Sequence, residues 1–133
     1  MEADPGRVHD VVIVGAGAAG LWCAQALASH GGGRKSVLIV EKTPRTGTKV
    51  LASGGTRCNV TTTHGPDEAA RLFGPKGERF LRHAFRELSP REVVAAFEGW
   101  GVPMAEAPLD KMFPESGNAR DVRDALEAAA RSG

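Results

Sequence analysis

VVIVGAGAAG at Val11–Gly20, followed by VLIVE at Val37–Glu41, constrains the fold more than any other part of the chain. Val11–Val14 is a short β-branched run with polar residues before it and Gly15 straight after it, the pattern of a strand buried on both faces. From Ala18 to about Ser29 the residues are mostly good helix formers, among them Leu21, Trp22, Ala24, Gln25 and Leu27. The glycine cluster in HGGGR at positions 30–34 stops that helix and supplies a turn. Val37–Val40 then reads as a second buried strand. Strand, glycine turn, helix and strand within about thirty residues make a βαβ crossover. A right-handed crossover sets the two strands parallel and adjacent.

The glycines fit G-x-G-x-x-G, a pattern that is weak alone because glycines recur by chance. Here each has a task. Gly15 permits the tight turn off the strand, and Gly17 lets the backbone approach a pyrophosphate. Gly20 lets the helix pack close to the strand. The helix N-terminus adds unpaired N–H groups and the positive end of its dipole. Glu41 lies twenty-one residues after Gly20, where an acid binds the ribose hydroxyls of a dinucleotide. A carboxylate there repels a 2′-phosphate and favours FAD or NAD over NADP, although Lys42 and Arg45 weaken that exclusion. A glycine-rich turn without a ligand is the bland alternative, and strand, helix, strand and acid all in register argue against it.

At 133 residues the chain suits one small domain with one core. Its formal charge of +1 gives no electrostatic footprint for nucleic acid or an anionic membrane. The polar start, MEADPGRVHD, is not a signal peptide, and no apolar run nears the roughly 20 residues that cross a bilayer. Cys23 and Cys58 form no C-x-x-C, and no histidine pairs with a cysteine at zinc-ligand spacing. Both thiols read as reduced, which points to the cytoplasm. The sequon at Asn59–Thr61 is then accidental.

Beyond Glu41 the periodicity vanishes through about Pro75, and loops of that length are usually functional or disordered. Within it lies SGGTRCN, a segment poor in side chains that carries one guanidinium. Gly54 and Gly55 allow close approach and positive φ, and Arg57 has the fork for a phosphate. Asn59 has a donor and an acceptor for an isoalloxazine or adenine edge. A solvated loop, with Arg57 facing only water, is the competing reading. Helical pattern returns at Glu78–Leu88, with Leu81, Ala84, Phe85 and Leu88 on one face. SPRE at Ser89–Glu92 is a capping box with proline at the first helical position, opening a helix that carries Val93, Ala96, Phe97 and Trp100. VPMAEAPLDKMFP reads as a hairpin about a Pro-Leu-Asp turn. In the last helix Asn118 is the cap, and Val122, Ala125, Leu126 and Ala129 share a face.

The order VVIVGAGAAGL, VLIVEK, GTKVLASGGTRCNVT and MFPESGNARDV resembles a family of FAD-dependent oxidoreductases that includes aminoacetone oxidase and the flavoprotein linked to bile-acid dehydroxylation. The resemblance runs from about Asp10 to Ala130, and its R-C-N block is its most specific part. It departs from the pattern at Ala16, at Thr48 in place of arginine, at Thr56 in place of a third glycine, and at Thr62 in place of asparagine. The resemblance implies that Gly15, Ala16, Gly17, Ala18, Ala19 and Gly20 hold the FAD pyrophosphate, and Glu41 and Lys42 the adenosine ribose. It implies further that Lys49, Ser53, Gly54, Gly55, Arg57, Cys58 and Asn59 run along the cofactor toward the flavin.

The expected architecture is α/β. A tail over residues 1–9 precedes a Rossmann-type βαβ FAD-binding half-domain with its cofactor loop over 10–75. A mainly helical and hairpin segment follows over 76–133. It is incomplete relative to the family, whose later sequence closes the sheet, so the remainder of the flavoenzyme is an expected partner. The expected activity is transfer of hydride or electrons between a small-molecule substrate, or NAD(P)H, and FAD. Alone, the chain is expected to bind FAD weakly or not at all and to turn nothing over. Neither nucleic acid nor membrane is an expected partner. A flavin-dependent RNA-modifying protein and a non-catalytic nucleotide-binding module stay open. Cys58 reads as a small wall residue rather than half of a redox disulfide, and Cys23 as packing. His64 and His83 are candidate acid–base groups, His83 better read as paired with Glu87 on a helix surface. Phe97 and Trp100 read as core, and no catalytic residue is assigned.

Overall fold

A computed structural model describes residues 6–30 and 35–132. Its elements in order are β1 (Val11–Val14), α1 (Ala18–His30), β2 (Val37–Val40), α2 (Thr48–Ala52), β3 (Thr61–Thr62), α3 (Pro66–Arg71), α4 (Gly74–Glu87), α5 (Pro90–Gly99), β4 (Met104–Ala107), β5 (Lys111–Pro114) and α6 (Ala119–Arg131). The strand–helix–strand crossover is present, with β1 parallel to β2 and Val11 to Val14 opposite Val37 to Val40. The glycine cluster expected to end α1 lies outside the described residues.

The expectation that β1 is buried on both faces fails. Val12 is 55% and Val14 86% exposed, and Val40 on the neighbouring strand is 48% exposed, whereas Ile13 and Ile39 turn toward the helices. A β-branched run implies two-sided burial only where something covers both faces, and here α1 packs on one. The stretch from Glu41 to Pro75 is also more ordered than its composition suggests, because it holds α2, β3 and α3. Five or six residues are too few to display an apolar period. For α3 the start is set instead by Pro66 in the first turn and by Asp67 and Glu68 near the positive end of the helix dipole. Likewise α4 begins at Gly74, ahead of the expected Glu78, with Pro75 in its first turn, where the missing N–H costs nothing.

The second half follows its local signals. Ser89 caps α5: its hydroxyl accepts from the Glu92 N–H at 3.2 Å, while the Glu92 carboxylate accepts from the Ser89 N–H at 2.7 Å. β4 and β5 form an antiparallel hairpin in which Ala107 faces Lys111 across the Pro-Leu-Asp turn, and Leu109 and Asp110 take left-handed φ of 69° and 55°. β3 pairs with the other edge of β5, giving the order β3-β5-β4. Asn118 caps α6 by accepting from the Arg120 N–H at 3.1 Å. His64 sits between two carboxylates, Glu68 at 3.1 Å on α3 and Asp110 at 3.4 Å in the hairpin turn. His83 lies 3.9 Å from Glu87 on the exposed face of α4.

α1, α5, α6 and α2 share one core. Leu21, Val50, Phe97, Val122 and Leu126 are buried together there. Trp22 and Trp100 pack beside them, their rings 5.5 Å apart, and Phe97 meets Trp100 edge-on at 5.1 Å. Burial of a side chain such as Phe97 contributes roughly 1.5–3 kcal/mol. This core sits directly beneath the glycine turn, so the turn rests on a packed base.

Candidate cofactor site

The glycine turn divides its tasks as physical necessity requires. Gly15 has φ 103°, a backbone that disfavours any side chain, and its N–H donates to the Val40 carbonyl at 2.7 Å. A Cβ on Gly20 would overlap the Gly15 carbonyl oxygen and stand 3.3 Å from Ile13 Cγ2, so α1 approaches β1 this closely only with glycine there. A Cβ on Gly17 would meet nothing within 4 Å. No atom of the protein demands glycine at Gly17; what it leaves is open space over the start of α1. The first N–H groups of that helix have no intrahelical acceptor, and its first turn holds no acidic side chain. An anion is the natural complement.

Glu41 braces the turn from the end of β2. Its Oε1 accepts from the N–H and the hydroxyl of Thr43, both at 2.9 Å, and its Oε2 accepts from the Ala16 N–H at 2.8 Å. These bonds, the Thr43 N–H first and the Ala16 N–H next, lower the carboxyl to a pKa of about 2. A carboxylate has about four acceptor sites; Thr43 and Ala16 use three, and the Lys42 N–H also acts on the group.

The second wall is tied to the first. The Gly47 N–H donates to the Ala16 carbonyl at 2.7 Å, holding the start of α2 against the glycine turn. Gly47 has φ 62°, and a Cβ there would come 2.6 Å from Arg123 Cγ on α6. After α2 the backbone takes left-handed φ at Gly54 (56°), Gly55 (65°), Thr56 (69°) and Cys58 (61°). For Thr56 and Cys58 this conformation costs about 1–2 kcal/mol each. The Cys58 N–H donates to the Ser53 carbonyl at 3.0 Å and the Ala119 N–H to the Thr56 carbonyl at 2.9 Å, which hold the loop in place. Burial pushes the Cys58 thiol above its usual pKa, so it is a neutral wall group rather than a thiolate. The Asn59 amide, with its NH2 toward β5, donates to the carbonyls of Thr61 at 3.0 Å and Met112 at 3.3 Å.

Between the walls lies a cavity of about 750 Å³. Its lining brings together Gly15, Ala16, Gly17, Ala18, Ala19, Gly20, Glu41, Lys42, Lys49, Ser53, Cys58 and Asn59. Gly54, Gly55 and Arg57 are not part of it. Cys58 and Asn59 face the cavity, whereas Arg57, between left-handed Thr56 and Cys58, is directed to β5. There its guanidinium lies over the Phe113 ring of β5, 4.7 Å from the centroid. Gly54 slots under the same ring, where a Cβ would stand 2.9 Å from Phe113 Cε1. The cavity also has an apolar floor that sequence reasoning missed: Trp22, Val50, Val60, Val93, Phe97, Val122 and Leu126. The helical period of Val93, Phe97, Val122 and Leu126 identified a core face, and that face turns out to serve both core and cavity.

The residues fit the adenosine diphosphate end of a dinucleotide. An uncompensated helix N-terminus and vacant space at Gly17 suit the pyrophosphate. Lys42 and Lys49, neither in an ion pair among the described residues, supply positive charge at the rim. Glu41 suits a ribose. The volume falls in the range of small-molecule and cofactor pockets. Among the described residues no cluster of three or more His, Cys, Asp or Glu side chains could hold a metal, and no helix is long and apolar enough to cross a membrane.

Residues 9–133 match the HI0933-like protein Rossmann domain, and the chain belongs to that family of FAD-binding domains of FAD-dependent oxidoreductases. It is similar to the ribosomal RNA dihydrouridine synthase of Escherichia coli, with 32% identity over 88% of this chain and 28% of the relative. It is also similar to the ribosomal RNA dihydrouridine synthase of Haemophilus influenzae, at 30% over 80% of this chain and 25% of that protein. The 3-dehydro-bile acid delta(4,6)-reductase of Clostridium scindens is 30% identical over 93% of this chain and 29% of its own length. The chain thus spans less than a third of the length of these relatives.

Proposed function

We propose that this member of the HI0933-like Rossmann family supplies the adenosine diphosphate grip of a flavin-dependent reductase. The observation that carries the reading is the contrast between Gly17 and Gly20: one is closed by the protein's own packing, the other is open toward the cavity. In this reading Gly17, Ala18, Ala19 and the start of α1 receive the pyrophosphate, with Lys42 and Lys49 offsetting its charge. Glu41, at the cavity wall, accepts from a hydroxyl of the adenosine ribose, and Ser53, Cys58 and Asn59 border the path toward the flavin. FAD, when bound, supplies the hydride and electron chemistry, with NAD(P)H the electron donor. This chain's residues orient the cofactor and exclude water from its diphosphate.

The direction of reaction is reduction of substrate. The relatives' names, a dihydrouridine synthase and a bile acid reductase, agree on that point. A small unsaturated molecule is the favoured substrate, since a charge of +1 gives no basic surface for nucleic acid. An RNA substrate is the second reading, supported by the two relatives named as ribosomal RNA dihydrouridine synthases. Further polypeptide is the expected cover for the bare valines of β1 and β2 and the expected neighbour of the flavin ring, and the chain alone turns nothing over. Free Cys23 and Cys58 favour the reducing cytoplasm as its location.

Competition binding on the full chain is the test. FAD and ADP should bind with similar, weak affinity, at dissociation constants on the order of 0.1–1 mM, about 4–5.5 kcal/mol. FMN, which lacks the adenosine half, should not compete. Competition by FMN, or no ADP binding at millimolar concentration, would overturn the reading.

A further inference from the structure

We infer that Arg57 is a receiver for an oxyanion carried by the substrate, a carboxylate or a phosphodiester, rather than a contact to the cofactor diphosphate. The inference rests on the cofactor reading only in that the cavity beside the loop belongs to FAD. Three independent observations meet at this residue. Its guanidinium lies over the ring of Phe113, 4.7 Å from the centroid, and Phe113 is only 8% exposed and therefore a fixed platform. A guanidinium held over a ring keeps its charge, and its planar fork of N–H donors matches a carboxylate or phosphate. Second, Arg57 is exposed and, like Arg7, Arg45, Arg79, Arg91 and Arg120, has no carboxylate partner among the described residues, and of these it alone lies over an aromatic ring beside the cavity. Third, the backbone on both sides of it is held in a costly conformation. Thr56 and Cys58 are non-glycine residues with φ of 69° and 61°, and strain of this kind gathers at ligand clamps.

The geometry also fixes where the anion sits. Cys58 and Asn59, the next two residues, line the cavity, while Arg57 is absent from that lining and lies against Phe113. An oxyanion at Arg57 therefore lies beside the cofactor cavity and outside it. That is the place for the charged end of a molecule whose reacting part enters from the Phe113 side. Gly54 lets the loop lie this close, since a side chain there would collide with the platform ring.

The test follows the Arg57 Nε–H resonance in 15N-arginine-labelled full chain, with two probes titrated separately: a steroid carboxylate and a short single-stranded oligoribonucleotide. The expected result is a saturable shift confined to Arg57 with at least one probe. Response to the carboxylate alone assigns a carboxylic substrate, and response to the oligonucleotide alone assigns a nucleic acid chain. Arg57→Gln should raise the half-saturating concentration at least tenfold, and Arg57→Lys, which keeps the charge but loses the planar fork, should recover only part of it. Phe113→Leu should weaken anion binding while Arg57 itself is present. FAD affinity, measured apart by flavin fluorescence, should change less than twofold in Arg57→Gln. Absence of any Arg57 shift with either probe overturns the inference, as does a tenfold loss of FAD affinity in Arg57→Gln. Because the anion titration needs no flavin, failure of FAD to bind overturns the cofactor reading and leaves this one standing.

Discussion

Replacing Gly20 and Gly17 in turn by alanine separates what the glycine turn does for the protein from what it does for a ligand. At Gly20 the added methyl overlaps the Gly15 carbonyl oxygen and lies 3.1 Å from its carbon. The obstacle is backbone, and Gly15 is itself tied to β2 through Val40, so it cannot swing away as a side chain would. Overpacking costs about 1–3 kcal/mol, and a backbone obstacle belongs at the upper end. Alanine returns up to about 1 kcal/mol of helix propensity, leaving a net loss near 2 kcal/mol. With a urea slope of roughly 2 kcal/mol per molar for a chain of this size, the midpoint falls by about 1 M. Gly17 has no left-handed φ and no neighbour for its methyl, so Gly17→Ala should keep its midpoint within about 0.5 kcal/mol of wild type. It should nevertheless weaken ADP and FAD binding at least tenfold, about 1.4 kcal/mol. Urea unfolding by far-UV circular dichroism and ADP binding on the same preparations give both numbers. Equal stability losses in the two variants, or unaltered ADP binding in Gly17→Ala, would refute the division of roles.

Other perturbations test the neighbouring elements. Glu41 has a folded pKa of about 2, below its ordinary 4.5, so its contribution is whole above pH 4.5 and is lost as pH falls toward 2. Glu41→Gln should flatten that part of the stability-against-pH curve, and an unchanged slope would show that the bonds to Thr43 and Ala16 are not made in solution. Ser89→Ala removes the cap of α5 and should cost about 1 kcal/mol in thermal or urea unfolding. Thr56→Gly relieves a left-handed threonine at about 1–2 kcal/mol while adding roughly 0.5–1 kcal/mol of chain entropy. It should leave the protein equally stable or up to about 1 kcal/mol more so, and a loss of more than 1 kcal/mol in the urea midpoint analysis would count against the strain.

Features were legible in the sequence where the signal is local. The capping box at Ser89–Glu92, the Pro-Leu-Asp turn and the crossover with Glu41 at its end each rest on residues a few positions apart, or on a spacing the crossover itself sets. What covers a strand is not local, and VVIV reads the same whether one face or both are packed. α2, with five residues, is shorter than two turns and carries no period to detect. The Gly-Pro pairs at Gly65–Pro66 and Gly74–Pro75 lie in the stretch without apolar period, yet each starts a helix. Within the site, spacing located Glu41 but not its bond to the Ala16 N–H, which exists only once the turn is formed. The direction of Arg57 was hidden for a similar reason. Left-handed residues on either side of it reverse the loop, and only glycine announces that conformation in advance; Thr56 and Cys58 do not.

The single peptide-to-peptide bond from Gly47 to Ala16 joins stretches of chain more than thirty positions apart, and it makes one wall a report on the other. Deuterium uptake at the Gly47 amide requires that bond to open, so its exchange rate reports on the contact between the walls. A nucleotide seated between them should slow that exchange, and this can be read on the chain as it stands, in the absence of turnover.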